Sequence, residues 1–257
     1  MPSITTQGIV LRHADYREHD RMLTLLSPSM GRIEALCRGC KRPQSPLLAA
    51  SEWFALGEYV LYTGKGHMTV TACNLTESFF PLRTDYDRLK YATYLLSIAE
   101  AAAQPGDRAV ELFTLLARSL SRLAYSDKDP QAVSAAFLLH LSAISGYRPR
   151  LSHCVRCGKR VEDEEIRLMD IENGGLLCKN CQSSLTRARP LSPAQALWMR
   201  DVLSRGIDKT DQPQENAPGA LLGEYVESRM EKPIRHEGLW RQNAQAGIFP
   251  VFFVPLS

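Results

Sequence analysis

Between Thr5 and about Leu75 the apolar positions come in short runs broken by turn residues, a pattern of strands. Gln7–Arg12 reads as one strand. Arg21–Leu26 and Arg32–Arg38 flank the turn Ser27-Pro28-Ser29-Met30-Gly31 as a hairpin, with Ile33, Ala35 and Cys37 alternating onto one face. A Gly/Pro/Ser loop, Gly39–Pro46, follows, and then Trp53–Tyr62 and Met68–Leu75 lie on either side of the turn Gly64-Lys65-Gly66. About five strands in roughly seventy residues suit a small Greek-key barrel of the OB type, and the pattern alone also allows an SH3-like barrel.

After Pro81 the apolar period becomes helical. Thr84 or Asp85 can cap a helix to about Ala103, with Leu89, Ala92, Leu96 and Ala99 on one face and Pro105-Gly106 as the stop. Ala109–Ala124 repeats the pattern through Val110, Phe113, Leu116, Leu120 and Leu123. Asp129-Pro130 places an N-cap before a proline at the first helical position, and Gly146 ends that helix. Its lack of charge marks it as the buried centre of a bundle. Ser192-Pro193 opens a further helix to about Ser204, Ala220–Glu231 forms the last, and Arg205–Gly219 between them reads as a flexible loop. The expected class is α+β and multidomain: an OB-type barrel over residues 1–80, then a helical domain over 81–257 with an inserted element at about 151–185.

That insert carries the sharpest chemical signal. Cys154 and Cys157, then Cys178 and Cys181, form two C-x2-C pairs separated by twenty residues. Two residues between thiolates let both sulfurs reach one metal at about 2.3 Å, and two such pairs close a tetrahedral shell around Zn²⁺. A closed shell holds structure and leaves no position for an activated water, so the array points to one structural Zn²⁺ and away from a zinc hydrolase. Unpaired thiols or two disulfides are the bland alternatives. Residues 1–15 lack the apolar run of a secretory leader, and the uncharged stretch Gln131–Tyr147, 17 residues long and interrupted by Ser134, His140, Ser142 and Ser145, would not span a bilayer. The expected setting is therefore the reducing cytoplasm, where seven cysteines suit metal ligands and core thiols better than disulfides.

A net charge of +3 identifies no partner by itself, but its distribution says more. Arg38, Lys41 and Arg42 occupy three of five positions in a loop of the expected barrel. Arg148, Arg150, Arg156, Lys159 and Arg160 fall in a run without acidic residues, part of which can compensate the negative charge of a four-thiolate site. Barrel loops are where OB domains track a nucleic-acid backbone, so the first cluster is a candidate phosphate contact against the alternative of a solvated loop. Tyr16, Trp53, Phe54, Tyr59 and Tyr62 include candidate stacking residues, some of which alternation assigns to the core.

Catalytic signatures are missing: the chain has no G-x-x-x-x-G-K-[ST], H-E-x-x-H or G-x-S-x-G. Cys37 and Cys40 make a third C-x-x-C, which with Cys73 or His67 could form a second metal site or a redox pair, keeping a thiol- or metal-dependent oxidoreductase as an alternative. An RNA-binding OB and zinc-ribbon protein is another. His140 reads as a satisfied core histidine, His153 as a group supporting the neighbouring sulfur, and Glu162–Glu165 as a solvated turn.

Several segments resemble one family closely. Gly8-Ile9-Val10-Leu11-Arg12, Tyr16-Arg17-Glu18, Asp20-Arg21 with Leu23–Leu26, Gly31, and Arg38-Gly39 through Lys41-Arg42-Pro43 to Ser45 look like the N-terminal signature of RecO, the bacterial recombination mediator. Gly146-Tyr147-Arg148-Pro149, the cysteine array, Gly174–Cys178, and Tyr225-Val226-Glu227 through Lys232-Pro233-Ile234 match the rest of that outline. The resemblance implies a non-catalytic protein that binds single- and double-stranded DNA and anneals complementary strands. It also implies contact with single-strand-binding protein and, with RecR, loading of RecA onto coated DNA in the nucleoid. It places the metal on Cys154, Cys157, Cys178 and Cys181 and the DNA contacts on Arg38, Lys41 and Arg42. Cys40, where the family usually has a small apolar residue, and the apolar tail Ile248–Ser257 with Phe249, Phe252 and Phe253 depart from it.

Overall fold

The computed structural model describes residues 3–64, 67–182, 188–209, 213 and 215–230. Strands β1 (Ser3–Asp15), β2 (Arg21–Ser27), β3 (Gly31–Cys37), β4 (Leu56–Tyr62) and β5 (Met68–Glu77) close into a barrel in the order β1-β2-β3-β5-β4. All pairings are antiparallel except β3 with β5, which run parallel over Ala35–Cys37 and Met68–Val70. This is the OB order. β1 is long enough to pair with β2 through its second half and with β4 through its first, so one strand closes the cylinder.

The run Ile9-Val10-Leu11 is uninterrupted because both faces of β1 are covered. Val10 points into the barrel with Leu23, Leu25, Ile33, Ala35, Tyr59, Leu61 and Val70, whereas Ile9, Leu11 and Leu26 join the core shared with the helices. β4 begins at Leu56, three residues later than the apolar run at Trp53 suggests. Phe54 takes a left-handed backbone (φ 72°) while its N–H donates to the Val10 carbonyl at 3.1 Å, and its ring is fully buried. Such a conformation is unfavourable for a bulky residue, and the burial of the ring offsets it.

Among the described residues five helices follow: α1 (Tyr86–Ala102), α2 (Val110–Tyr125), α3 (Pro130–Ile144), α4 (Pro193–Arg205) and α5 (Gly219–Glu227). Asp85 caps α1 by accepting from the Arg88 N–H, Asp129 caps α3 from Gln131, and Ser192 with Gln195 forms a capping box at α4. α3 packs against α1, α2, α4 and α5. On α2 the expected face holds for Phe113, Leu116, Leu120 and Leu123, but Val110, at the first turn, is exposed. His140 on α3 is half-buried and bonds to the Val202 backbone, while its Nε2 has no hydrogen-bond partner among the described residues, so the core histidine expected is satisfied in part. Burial and the nearby Arg148 hold its pKa down.

Barrel and helices meet through backbone. The β2–β3 turn lies along the α1–α2 connection: the Arg32 N–H donates to Gln104, Gly106 to Met30 and Ala109 to Pro28, at 2.9–3.2 Å. Arg12 donates to Glu100 at 3.2 Å beside this seam. Gly31 sits at its centre with φ 63°, and a Cβ there would overlap the carbonyl oxygens of Gln104 and Asp107. Gly106 has φ 84° but open space around the same position.

Between α3 and α4 the chain forms a small sheet, order β7-β6-β8, from β6 (Leu168–Asp170), β7 (Gly175–Leu176) and β8 (Ala188–Pro190). Its buried side chains belong to the same core as the helices. The run Glu162–Glu165 is more than a solvated turn, because Asp163 accepts from Arg200 of α4 at 2.6 Å and the same arginine donates to the Leu151 carbonyl at 2.7 Å. The tail Ile248–Ser257 lies outside the described residues.

The two glycines separate backbone strain from steric conflict. Gly106→Ala is expected to cost about 1 kcal/mol through strain alone. Gly31→Ala is expected to cost about 3 kcal/mol or more, because it also forces the seam apart. Chemical denaturation compares them; equal losses would mean that the seam is not closely packed.

Candidate metal centre and nucleic-acid interface

The first cysteine pair lies in a tight hairpin. Cys154 N–H donates to the Lys159 carbonyl at 2.8 Å, Gly158 N–H returns to Cys154 at 3.0 Å, and Gly158 takes the left-handed conformation (φ 72°) that closes the knuckle. The second pair opens a short 3-10 turn, with the Cys181 N–H donating to the Cys178 carbonyl at 2.9 Å. Val155 N–H to Leu176 carbonyl, at 3.0 Å, joins the two halves. The turn before the second pair is held by Asp170, whose buried carboxylate accepts from the Asn173 backbone and side chain at 3.0 and 2.8 Å.

All four Sγ atoms lie within 4.8 Å of one another, with Cys157 and Cys178 at 3.6 Å. Cys154 and Cys178 are buried, and Cys157 is exposed. Burial works against a thiolate at Cys154, but the N–H groups of Cys157, Cys178 and Arg156 reverse this and hold its pKa at about 6. The hydrogen bond with Cys178, together with burial and the other sulfurs, pushes Cys181 up to about 12. Negative charge on one sulfur therefore opposes charge on the next, and a divalent cation in their midst removes that opposition. Four such donors could hold one metal ion, and the all-sulfur set is consistent with zinc. His153 directs Nδ1 to Ser152 Oγ at 2.9 Å.

Among the described residues this is the only cluster of three or more such ligands in reach of one ion, so Cys37, Cys40, Cys73 and His67 form no second metal site. Cys37 and Cys40 are both buried, at 1% and 0% exposure. The Cys37 thiol holds Cys40 down at about 6 while its own pKa is pushed up. A low-pKa thiol without exposure offers no approach to a substrate, which counts against an oxidoreductase built on this pair.

At the other end of the chain, Arg38–Arg42 packs against the β1–β2 connection. The Gly39 N–H donates to Asp20 at 2.8 Å and the Lys41 N–H to the His19 carbonyl at 3.1 Å. Arg38 and Arg42 are exposed. Lys41 Nζ instead donates to Asp15 at 2.7 Å, and this bond holds the Asp15 carboxyl below its usual range. Beside the loop Tyr16 is half exposed, with the Arg17 guanidinium 5.4 Å from its ring centre. Of the other aromatics, Phe54 and Tyr59 are fully buried, while Trp53 is 39% exposed and lies 5.5 Å from the His13 ring. The ion pair with Asp15 was not legible from spacing, since twenty-six residues separate the partners.

The family models for Recombination protein O match at both ends, the N-terminal one over residues 1–79 and the C-terminal one over 83–237. The chain belongs to the RecO family. It is 36% identical to the DNA repair protein RecO of Desulfitobacterium hafniense over 210 residues, covering 79% of this chain and 74% of that protein. Against the DNA repair protein RecO of Acetivibrio thermocellus it is 29% identical over 237 residues, 90% of this chain and 94% of the relative. Among the described residues of this RecO-family chain no helix is long and apolar enough to cross a membrane.

Burial predicts the order of thiol reactivity. In the native protein without metal, Cys157 is expected to react with iodoacetamide roughly tenfold or more faster than Cys37 and Cys40, which react only when the barrel opens. Mass spectrometry after timed quenching reads this. Rapid labelling of Cys40 would restore the thiol enzyme as a candidate.

Proposed function

We propose that this chain is a non-catalytic DNA repair and recombination mediator of the bacterial cytoplasm and nucleoid. It binds single- and double-stranded DNA, anneals complementary strands, and acts with RecR to load RecA onto DNA coated by single-strand-binding protein. Residues 1–80 form the nucleic-acid-binding domain and 81–257 the helical domain. Arg38, Lys41 and Arg42 contact the backbone, and Cys154, Cys157, Cys178 and Cys181 hold one structural Zn²⁺. What carries the reading is the basic loop Arg38–Arg42 set on an OB-type barrel beside an exposed tyrosine and arginine. Family membership and the lack of catalytic motifs support it.

Annealing on this view needs no turnover. Bringing two strands together costs phosphate repulsion, and cations fixed on a rigid barrel neutralise part of it while counterions leave for bulk solution. The zinc element supplies no chemistry to the strands. Its role is to fold the segment between α3 and α4, since metal affinity in such a module is also folding free energy.

Three measurements test these assignments. Protein purified without chelator is expected to contain one zinc per chain by elemental analysis, and Cys154→Ser or Cys178→Ser to lose it and lower Tm by about 5 °C or more. Wild-type stability in both variants would remove the metal role. Neutralising Arg38, Lys41 and Arg42 together is expected to weaken binding to every DNA sequence and to flatten its salt dependence by about 0.7–0.9 log units per lost contact. With coated complementary strands, annealing no faster than without the protein, or only with ATP, would refute the mediator.

A further inference from the structure

An open cavity of about 720 Å³ lies where α5, the α3 C-terminus and the cysteine element meet. Among the described residues three arginines line it, Arg148, Arg150 and Arg229, against one acidic residue, Glu172. The arginines differ. Arg229 is committed to the fold: its guanidinium lies 3.8 Å from the Tyr225 ring centre and 5.6 Å from that of Tyr147, and it donates to the carbonyls of Ile171 and Glu172 at 2.9 and 3.1 Å. Arg148 and Arg150 are exposed, and among the described residues no hydrogen bond or ion pair engages either guanidinium.

Between them the backbone is fixed. Arg150 bonds in both directions with the Gly174–Leu176 segment, at 2.9 and 3.0 Å, and a Cβ on Gly175 would collide with Arg150 and Val155. The residue after the first metal-binding cysteine thus forms part of the cavity wall. Tyr147 is tied through its carbonyl, which accepts from the Tyr225 hydroxyl at 2.7 Å, while the residue is 49% exposed. A cation against an aromatic ring and two unengaged guanidiniums next to it form a platform for one base with flanking phosphates.

We propose that this cavity is a second nucleic-acid site, separate from the barrel loop, taking an unpaired segment of a single strand with a base on Tyr147 and phosphates on Arg148 and Arg150. It rests on the DNA-binding reading above and deepens it. A double helix does not suit it, because stacked bases do not expose a face to the tyrosine. An acidic peptide would satisfy the arginines but, without an aromatic side chain of its own, would leave the exposed Tyr147 unused.

The full chain is tested with a fluorescent oligo(dT) strand across a salt series and with the same strand carrying 5-iodouracil for photocross-linking. Tyr147→Leu is expected to weaken single-strand binding about tenfold, and Tyr147→Trp to retain it. Arg148→Ala with Arg150→Ala is expected to lower the salt slope by about 1.4 log units, two contacts at about 0.7 each. The cross-link is expected on Tyr147, with Tm unchanged in all variants. Wild-type protein that binds no strand removes the parent reading and this one together. Normal binding by wild type and by all the cavity variants, with cross-links only in the barrel, overturns this proposal alone. So does loss of polyglutamate binding in the arginine variant with oligo(dT) binding intact.

Discussion

A helix with no formal charge and apolar residues all round has to be covered from every direction. Covering α3 organises the second half of this molecule. α1 and α2 arrive directly from the barrel, but α4 and α5 come only after the cysteine-bearing segment, whose own short strands add Met169 and Leu176, and whose turn after β6 adds Ile171, to the same core. The insert is therefore no appendage on a flexible stalk. Arg200 clamps its start to α4, and Arg189 pairs with Glu224 of α5 at 2.6 Å. Whatever stabilises the cysteine cluster is transmitted to the covering of α3.

The same economy joins the halves of the chain. β1 turns Val10 inward and Ile9 and Leu11 outward, so the strand that closes the barrel also supplies apolar surface to the helices. The turn around Gly31 then adds backbone hydrogen bonds, which tolerate little displacement. The outcome is a barrel whose basic loop is held in a set orientation to the helical body, a useful property in a protein proposed to handle two strands.

Much of this was legible in the sequence because it rests on local rules. Alternation located the β2–β3 hairpin to within a residue, and Thr84 or Asp85, Asp129 and Ser192 marked three helix starts, the first of them resolved to Asp85, because a short side-chain acceptor can satisfy the first free N–H groups. The cysteine spacing foretold a cluster because two C-x2-C turns leave few other uses for four sulfurs. Family membership followed from motifs distributed along the chain. What spacing could not reveal was non-local pairing: Lys41 with Asp15, Asp163 with Arg200, Arg229 between two tyrosines. Nor could alternation separate Trp53, partly exposed, from Phe54, fully buried in a left-handed conformation, since the strand rule does not hold before Leu56.

The bond between Lys41 and Asp15 gives the basic loop a resident competitor. A carboxylate already occupies the ammonium, so a small anion arriving there would exchange one partner for another with little net gain. On the proposed reading a polymer differs, because successive phosphates would reach the exposed Arg38 and Arg42 while Lys41 changes partner, and the exchange gains through their sum. In the proposed role of this loop, Asp15 would thereby favour a continuous polyanion over free phosphate and metabolite anions.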